Sequence, residues 1–532
     1  MTGRNGKRRI AIIGMGPRGL GALEALAARV APGSVSVEIF DPVRPYGAGP
    51  NFSPDESELC LLNLPVRAVQ IDPGRVGRFA DWLGVEDPES YPPRADLGRY
   101  FAARFEAVAE SLAPLMHAAR VENVSREADG WYLEADGRHG PFDEVLTTQG
   151  QPRCEPDAQL AEWQNHAKTQ GLPLFAAYPG QALRAAAQGW QGKVVGVRGL
   201  GLSTLDVMRL LTLGLGGRFE DGAYVPSGRE PARILPFSLD GHAPAPKPAT
   251  SEVDAGFDPE EGETRAFIGA LAEAVGMAAN AALERICAAL VAPGMRLAQA
   301  PRREVERWLA AEREAPGSQE TRGPIEALAA HMDMARGAVP EVGYALGQVW
   351  RKWQNELRQG FNPARMAPET AAALVKFDDA LKRFSYGPPL RSAEELLALI
   401  RADVVDLRAV DDPDIRLVDD GWVLDGDAAT LRAEVMVDAV LPSPALAPVT
   451  DRALAGLRED GWLHEVAEGL GGETAADGLA LTRDGRPAPG LAVLGRMAAG
   501  SVIAVDSIHD CFGAAADRWA NGVADRSGRR TD

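Results

Sequence analysis

Gly14, Gly16 and Gly19 stand in the spacing G-x-G-x-x-G within the segment GMGPRG. The chemistry of that spacing is diphosphate binding. The first glycine allows a tight turn, the second lets backbone approach a pyrophosphate, and the third lets a helix pack closely on the preceding strand. A helix that begins at such a turn presents unpaired N–H groups and a partial positive charge to the phosphates. Pro17 suits the first helical position, where its missing N–H has no intrahelical partner. Asp41 follows about 20 residues after Gly19, the place from which a carboxylate accepts hydrogen bonds from ribose hydroxyls. A second turn, Gly199, Gly201 and Ser203, repeats part of the pattern, with Thr204 at the third glycine position and Asp206 inside the following helix.

The elements that must position these residues are legible around them. RRIAIIG is β-branched and apolar, as a strand buried on both faces should be. LGALEALAARV has helical periodicity, and SVSVEIFD returns as a strand ending at Asp41, completing one βαβ unit. GKVVGVRGLGLSTLDVMRLLT reads again as strand, glycine turn and helix. Between the two units, residues 42–100 read as a long irregular loop, LGRYFAARFEAVAESLAPL as an amphipathic helix, and ARVENVSREADGWYLEADG as a hairpin. From about 262 to 401 the chain is rich in Ala, Leu and Glu with helical spacing and holds Trp308, Trp350 and Trp353. Strand patterns then resume before a last helix.

Other chemistries find little support. The seven histidines show no H-x-x-x-H or His-plus-carboxylate spacing of a metal site, so no metal is expected. No G-x-S-x-G nucleophile elbow is present. His509, beside Asp510, is better read as a capping or solvated residue than as an acid or base, Trp350 and Trp353 as helix packing, and Arg94 equally as a substrate anchor or a loop salt bridge. No catalytic residue is assigned. The four cysteines, Cys60, Cys154, Cys287 and Cys511, form no C-x-x-C pair, which fits a reducing cytoplasm. With 532 residues, 45% of them hydrophobic, the chain holds several domain-sized units, and its net charge of −19 argues against nucleic acid and anionic membranes as partners. No apolar run reaches the about 20 residues needed to span a bilayer.

As a set, IAIIGMGPRGLGALEAL, PYGAGP with LLNLP, PPRADLGRYF, EVLTTQGQP, RGLGLSTLDVMRLLT, YVPSGREP, RFSYGPP, VDAVLPSP and LGRMAAGSVIAVDSIHD resemble the bacterial FAD/NAD(P)-binding flavoproteins that include N-oxygenating monooxygenases such as nitrosuccinate synthases. They run in the family's order from residue 10 to about 512. The resemblance implies an α/β fold with two Rossmann-like dinucleotide-binding domains, the FAD domain discontinuous, and a helical insertion. The expected boundaries are 1–160 for the first part of the FAD domain, 161–260 for the second nucleotide-binding domain, 261–401 for the insertion and 402–532 for the return to the FAD domain.

The resemblance also implies roles. Gly14, Gly16, Pro17, Arg18, Gly19 and Asp41 would hold the ADP half of FAD, with Val124 beside the adenine. Gly47, Gly49, Asn63 and Gly150 would lie along the flavin, and Gly495, Arg496, Val502 and Asp506 would close it. Gly199, Gly201 and Ser203 would take NADPH or NADH. The family often has basic residues where this chain has Leu215, Leu239 and Asp240; Arg198, Arg218, Arg229 and Lys247 are the substitutes available for a 2′-phosphate. The expected activity is oxidation of a small amine or amino acid by an NAD(P)H-dependent flavin monooxygenase. The alternatives are an FAD-binding accessory protein without turnover and a nicotinamide-independent flavin oxidase or dehydrogenase. The oligomeric state is left open, a homo-oligomer included.

Overall fold

The computed structural model describes residues 7–361 and 366–528. Strand β1 (Arg8–Ile13) runs into the first glycine turn and helix α1 (Pro17–Ala27), and β2 (Val35–Phe40) returns beside it. The two strands pair in parallel, Ile13 opposite Phe40. The irregular stretch that follows ends at α2 (Arg94–Leu112). Then come β3 (Leu115–His117), a meander of β4 (Asn123–Glu127), β5 (Gly130–Glu134) and β6 (Arg138–Phe142), and β7 (Glu144–Thr147). The expected hairpin thus gains a third strand.

The second unit holds β8 (Leu174–Ala176), β9 (Val194–Arg198), α3 (Leu202–Leu211), β10 (Arg233–Phe237) and, much later, β11 (Val435–Asp438). Its sheet has the order β10-β9-β11-β8, all parallel. The chain rejoins the first sheet only with β12 (Leu479–Leu481) and β13 (Pro487–Val493), giving the order β12-β13-β7-β1-β2-β3. Because β11 pairs with β9 and β8, residues up to 438 complete the second sheet, and the return to the first comes later than the boundary of 402 expected from sequence. Helices α4 (Ile508–Cys511) and α5 (Ala514–Gly528) close the chain. The architecture is α/β, two nucleotide-type folds with a helical insertion, the second sheet all parallel and the first parallel except for β12, which joins β13 antiparallel.

Hydrophobic burial explains the layering. Leu20, Leu23 and Leu26 on one face of α1 are fully buried with Ile10 and Ile12 of β1 and Trp519 of α5, as expected for a helix covering one face of a parallel sheet. Gly21 allows α4 to approach, because a Cβ there would overlap the Cys511 carbonyl.

The insertion has its own core. Trp350 donates its indole N–H to Asp378 at 2.7 Å, and Trp353 stacks on Phe267 with ring centres 4.4 Å apart. Both tryptophans therefore pack helices, as their spacing predicts.

Candidate functional site

The two glycine turns are built alike. Gly14 donates to the Phe40 carbonyl at 2.9 Å, and Gly199 donates to the Phe237 carbonyl at 2.8 Å. Each turn leads to a glycine N-cap, Gly16 with φ −81° and ψ −166°, and Gly201 with φ −88° and ψ −161°; neither helix start has a side-chain cap. Gly14 has φ +91°, which favours glycine on backbone grounds, and a Cβ would lie 2.8 Å from the Thr148 carbonyl oxygen. At Gly19 a Cβ would overlap the Gly14 carbonyl.

Gly16 and Gly201 are different. Their φ values suit any residue, a Cβ on Gly16 would meet nothing nearer than Gly49 Cα at 3.5 Å, and a Cβ on Gly201 would meet nothing within 4 Å. Ser or Asp would cap these helices better than Gly. A group outside the polypeptide that needs close backbone approach at an uncapped helix start accounts for both, and a diphosphate is such a group. The residues present fit it.

Around the first turn, Asp41 accepts from the N–H groups of Met15 at 2.5 Å and Val43 at 2.7 Å. Burial pushes its carboxyl above the ordinary range, against those two donors. Thr148 donates its hydroxyl to the Gly14 carbonyl at 2.6 Å, a contribution the sequence did not flag. Gly47 donates its N–H to the Met15 carbonyl at 2.7 Å, and Gly49 lies against Gly16 and Pro17. A Cβ on Gly47, at φ +92°, would lie 2.5 Å from the Phe101 carbonyl, so packing demands glycine there. Gly150, at the C-terminal end of β7, has φ +69° and open space around it. Asn63 is half-buried on the loop before α2.

Three expectations change. Arg18 is engaged within the protein: its guanidinium donates to the carbonyls of Asp510 and Val505 and pairs with the Asp510 carboxylate, so it anchors the closing segment. Val124 has no accessible surface; it belongs to the core with Ile13 and Phe40 and offers a ligand no side-chain contact. The Val502 N–H is committed to the Ala498 carbonyl at 2.9 Å and is not directed at a ligand.

The closing segment is held from several sides. A Cβ on Gly495 would lie 2.9 Å from the Arg18 side chain. Arg496 donates to Gln151 Oε1, Asp506 Oδ1 and the Pro442 carbonyl, each at 2.6 Å. Asp506 also takes Lys382 Nζ of the insertion at 3.1 Å. Burial alone would raise the Asp506 carboxyl, but Lys382 and Arg496 outweigh it and hold the group below its usual range. Arg358 of the insertion donates to the Ala504 carbonyl at 3.3 Å. Lys382, Arg358 and Gln151 carried no sequence signal, since their partners lie more than a hundred residues away. His509 donates its Nε2–H to the Ala68 carbonyl at 2.9 Å, and burial lowers its pKa, so it serves packing.

At the second turn, Thr204 replaces the third glycine by donating its hydroxyl to the Gly199 carbonyl at 2.8 Å. Ser203 follows Leu202 in the first turn of α3. Asp206, buried inside α3, pairs with Arg94 of α2 and accepts from Tyr178 at 2.6 Å. This settles Arg94 as a tether between the two nucleotide units.

The histidines hold one surprise. Glu38, His117 and His139, from three strands, bring one ligand-type atom each within 4.8 Å of one another, a grouping no sequence spacing reveals. Glu38 is already engaged by Arg9 at 2.7 Å and His117 at 3.1 Å, and His117 stacks on Phe40.

Fold and turns together define a class of architecture, two dinucleotide-type strand–turn–helix units with a helical insertion. Residues 11–152 match the FAD-NAD(P)-binding family model. The nitrosuccinic acid synthase of Aspergillus oryzae is 28% identical over 539 residues, spanning 85% of this chain and 81% of that protein. An L-aspartate N-monooxygenase (nitrosuccinate-forming) of Streptomyces davaonensis is 28% identical over 42% of each chain. The fold matches the ornithine N-hydroxylase of Kutzneria sp. 744 with a TM-score of 0.50 over 98% of this chain and 99% of that one, at 11% identity. It matches the FAD-bound cadaverine monooxygenase of Erwinia amylovora with a TM-score of 0.50 over 98% and 94%, at 13% identity. Residues 11–152 thus carry the FAD-NAD(P)-binding pattern, and the chain is similar to nitrosuccinate-forming enzymes along most of its length. No helix among the described residues is long and apolar enough to cross a membrane.

Proposed function

We propose that this protein is an FAD-dependent, nicotinamide-reduced N-monooxygenase acting on a small amine or amino acid, with an acidic α-amino acid as first candidate. The observation that supports it most is the pair of glycine N-caps, Gly16 and Gly201, which the polypeptide itself does not require. The likeness to nitrosuccinic acid synthase along 85% of the chain directs the chemistry to nitrogen.

When bound, FAD supplies the activation of dioxygen and the redox equivalents that amino-acid side chains lack. The chain's own residues do the rest. The first turn and the start of α1 hold the diphosphate, while Asp41, at the end of β2, accepts from the ribose. Arg496, Asp506 and Lys382 tie the closing segment to the insertion, which keeps water from the flavin end.

Purified protein supplied with FAD should show flavin absorption bands, and NADH or NADPH should bleach them anaerobically. With oxygen and L-aspartate it should form a product heavier by the added oxygen on nitrogen. Flavin bands that neither nicotinamide bleaches would contradict this cycle and favour an oxidase or an accessory role.

A further inference from the structure

The matched bonding of the two βαβ units fixes where the adenosine ribose of a second dinucleotide would lie. It is beyond the C-terminal end of β10, as Asp41 lies beyond that of β2. There the chain runs Ser238, Leu239, Asp240, with Leu239 and Asp240 exposed. Asp240 Oδ1 accepts from the Ser238 hydroxyl at 3.0 Å and from the His242 N–H at 3.3 Å, which holds the carboxylate at the strand end.

Two more carboxylates arrive on the neighbouring segment. Ser238 pairs in parallel with Asp411 and accepts at its carbonyl from the Asp412 N–H at 2.8 Å, and both aspartates are exposed.

The cations that sequence offered for a 2′-phosphate are not available to it. Arg198, at the end of β9, is paired with Asp157 at 2.7 Å and Asp438 at 3.3 Å. Leu215, Arg218 and Arg229 follow the C-terminus of α3, the end opposite the glycine turn, and a Cβ on Gly216 would overlap the Arg229 guanidinium. Lys247 is buried against the Gly387 carbonyl.

We infer that the second nucleotide site selects a dinucleotide with a free adenosine 2′-hydroxyl, NADH, and rejects NADPH, with Asp240 as the specificity-determining residue and Asp411 and Asp412 reinforcing it. The inference rests on the reading of this unit as a nicotinamide site. A ribose diol donates hydrogen bonds to a carboxylate. A 2′-phosphate brings negative charge to the same place and meets three carboxylates, with none of Arg198, Arg218, Arg229 and Lys247 placed to offset them.

The test is anaerobic reduction of the FAD-loaded full chain by each nicotinamide. Half-saturation by NADH is expected at a concentration at least about tenfold below that for NADPH. Asp240→Arg should shrink or reverse the ratio, and Asp240→Asn should shrink it, weakening NADH while easing NADPH. Flavin content and thermal midpoint report folding of both variants, whose substituted side chain is exposed. NADPH matching or outperforming NADH in the wild type, or a ratio unmoved in Asp240→Arg, would overturn the selectivity while leaving the nicotinamide reading intact. Bound flavin that neither nicotinamide reduces would overturn both.

Discussion

Gly14 and Gly16 show how neighbouring glycines serve different masters. Gly14 is fixed by its own backbone, at φ +91° against the Thr148 carbonyl, whereas Gly16 has an ordinary φ and room for a Cβ. This local motif was legible because turn, cap and strand are contiguous in sequence. Arg18 was misread because its partner, Asp510, lies almost the whole chain away and no short-range pattern encodes it.

Lys247, read as a phosphate ligand, is a buried amine instead, with its pKa lowered to about 7 by burial and by the Arg351 charge. From about pH 7 to the unfolded value near 10.5, the unfolded chain holds a proton that the folded protein has released. Raising the pH through that window therefore favours the folded state, by up to about 1.4 kcal/mol for each pH unit. Below it both states are charged and the burial cost is felt in full. Lys247→Met should raise the thermal midpoint at pH 7 and remove the rise between pH 7 and 9. Equal pH dependence in both proteins would contradict this assignment.

At the scale of elements, the strand–turn–helix units and the helical insertion were visible from periodicity, while the sheet assignments were not. The strand Val435–Asp438 inserts between β9 and β8 after the whole insertion has intervened, and parallel pairing across such a distance leaves no local trace. Thr204 stands at the third glycine position of the motif, and its hydroxyl reaches the Gly199 carbonyl at 2.8 Å, a bond the sequence does not reveal.

The two nucleotide units are locked by Arg94, Asp206 and Tyr178, with Asp206 almost wholly buried. Removing one member leaves a buried charge unpaired, so Arg94→Ala should cost roughly 3 kcal/mol. The double variant Arg94→Met with Asp206→Leu should recover much of that loss. Denaturant unfolding monitored by tryptophan fluorescence reads both, and a single variant as stable as the wild type would refute the tether.

Taken whole, the molecule interleaves its parts. The first sheet opens the chain and closes it, the second is completed at residue 438, and the insertion grips the closing segment through Lys382 and Arg358. The net charge of −19 and the carboxylates at the end of β10 accord with the proposal that phosphates are held at helix starts more than by basic side chains.

The measurement that bears most directly on this account is FAD binding by the wild type and by Gly16→Ala, with thermal unfolding of each apoprotein as control. Stoichiometric FAD in the wild type is expected, with affinity at least about tenfold weaker in the variant at an unchanged unfolding midpoint, since only a close-lying diphosphate requires glycine there. A wild type that takes up no FAD, or a variant that holds it equally well, would contradict the assignment of the first turn.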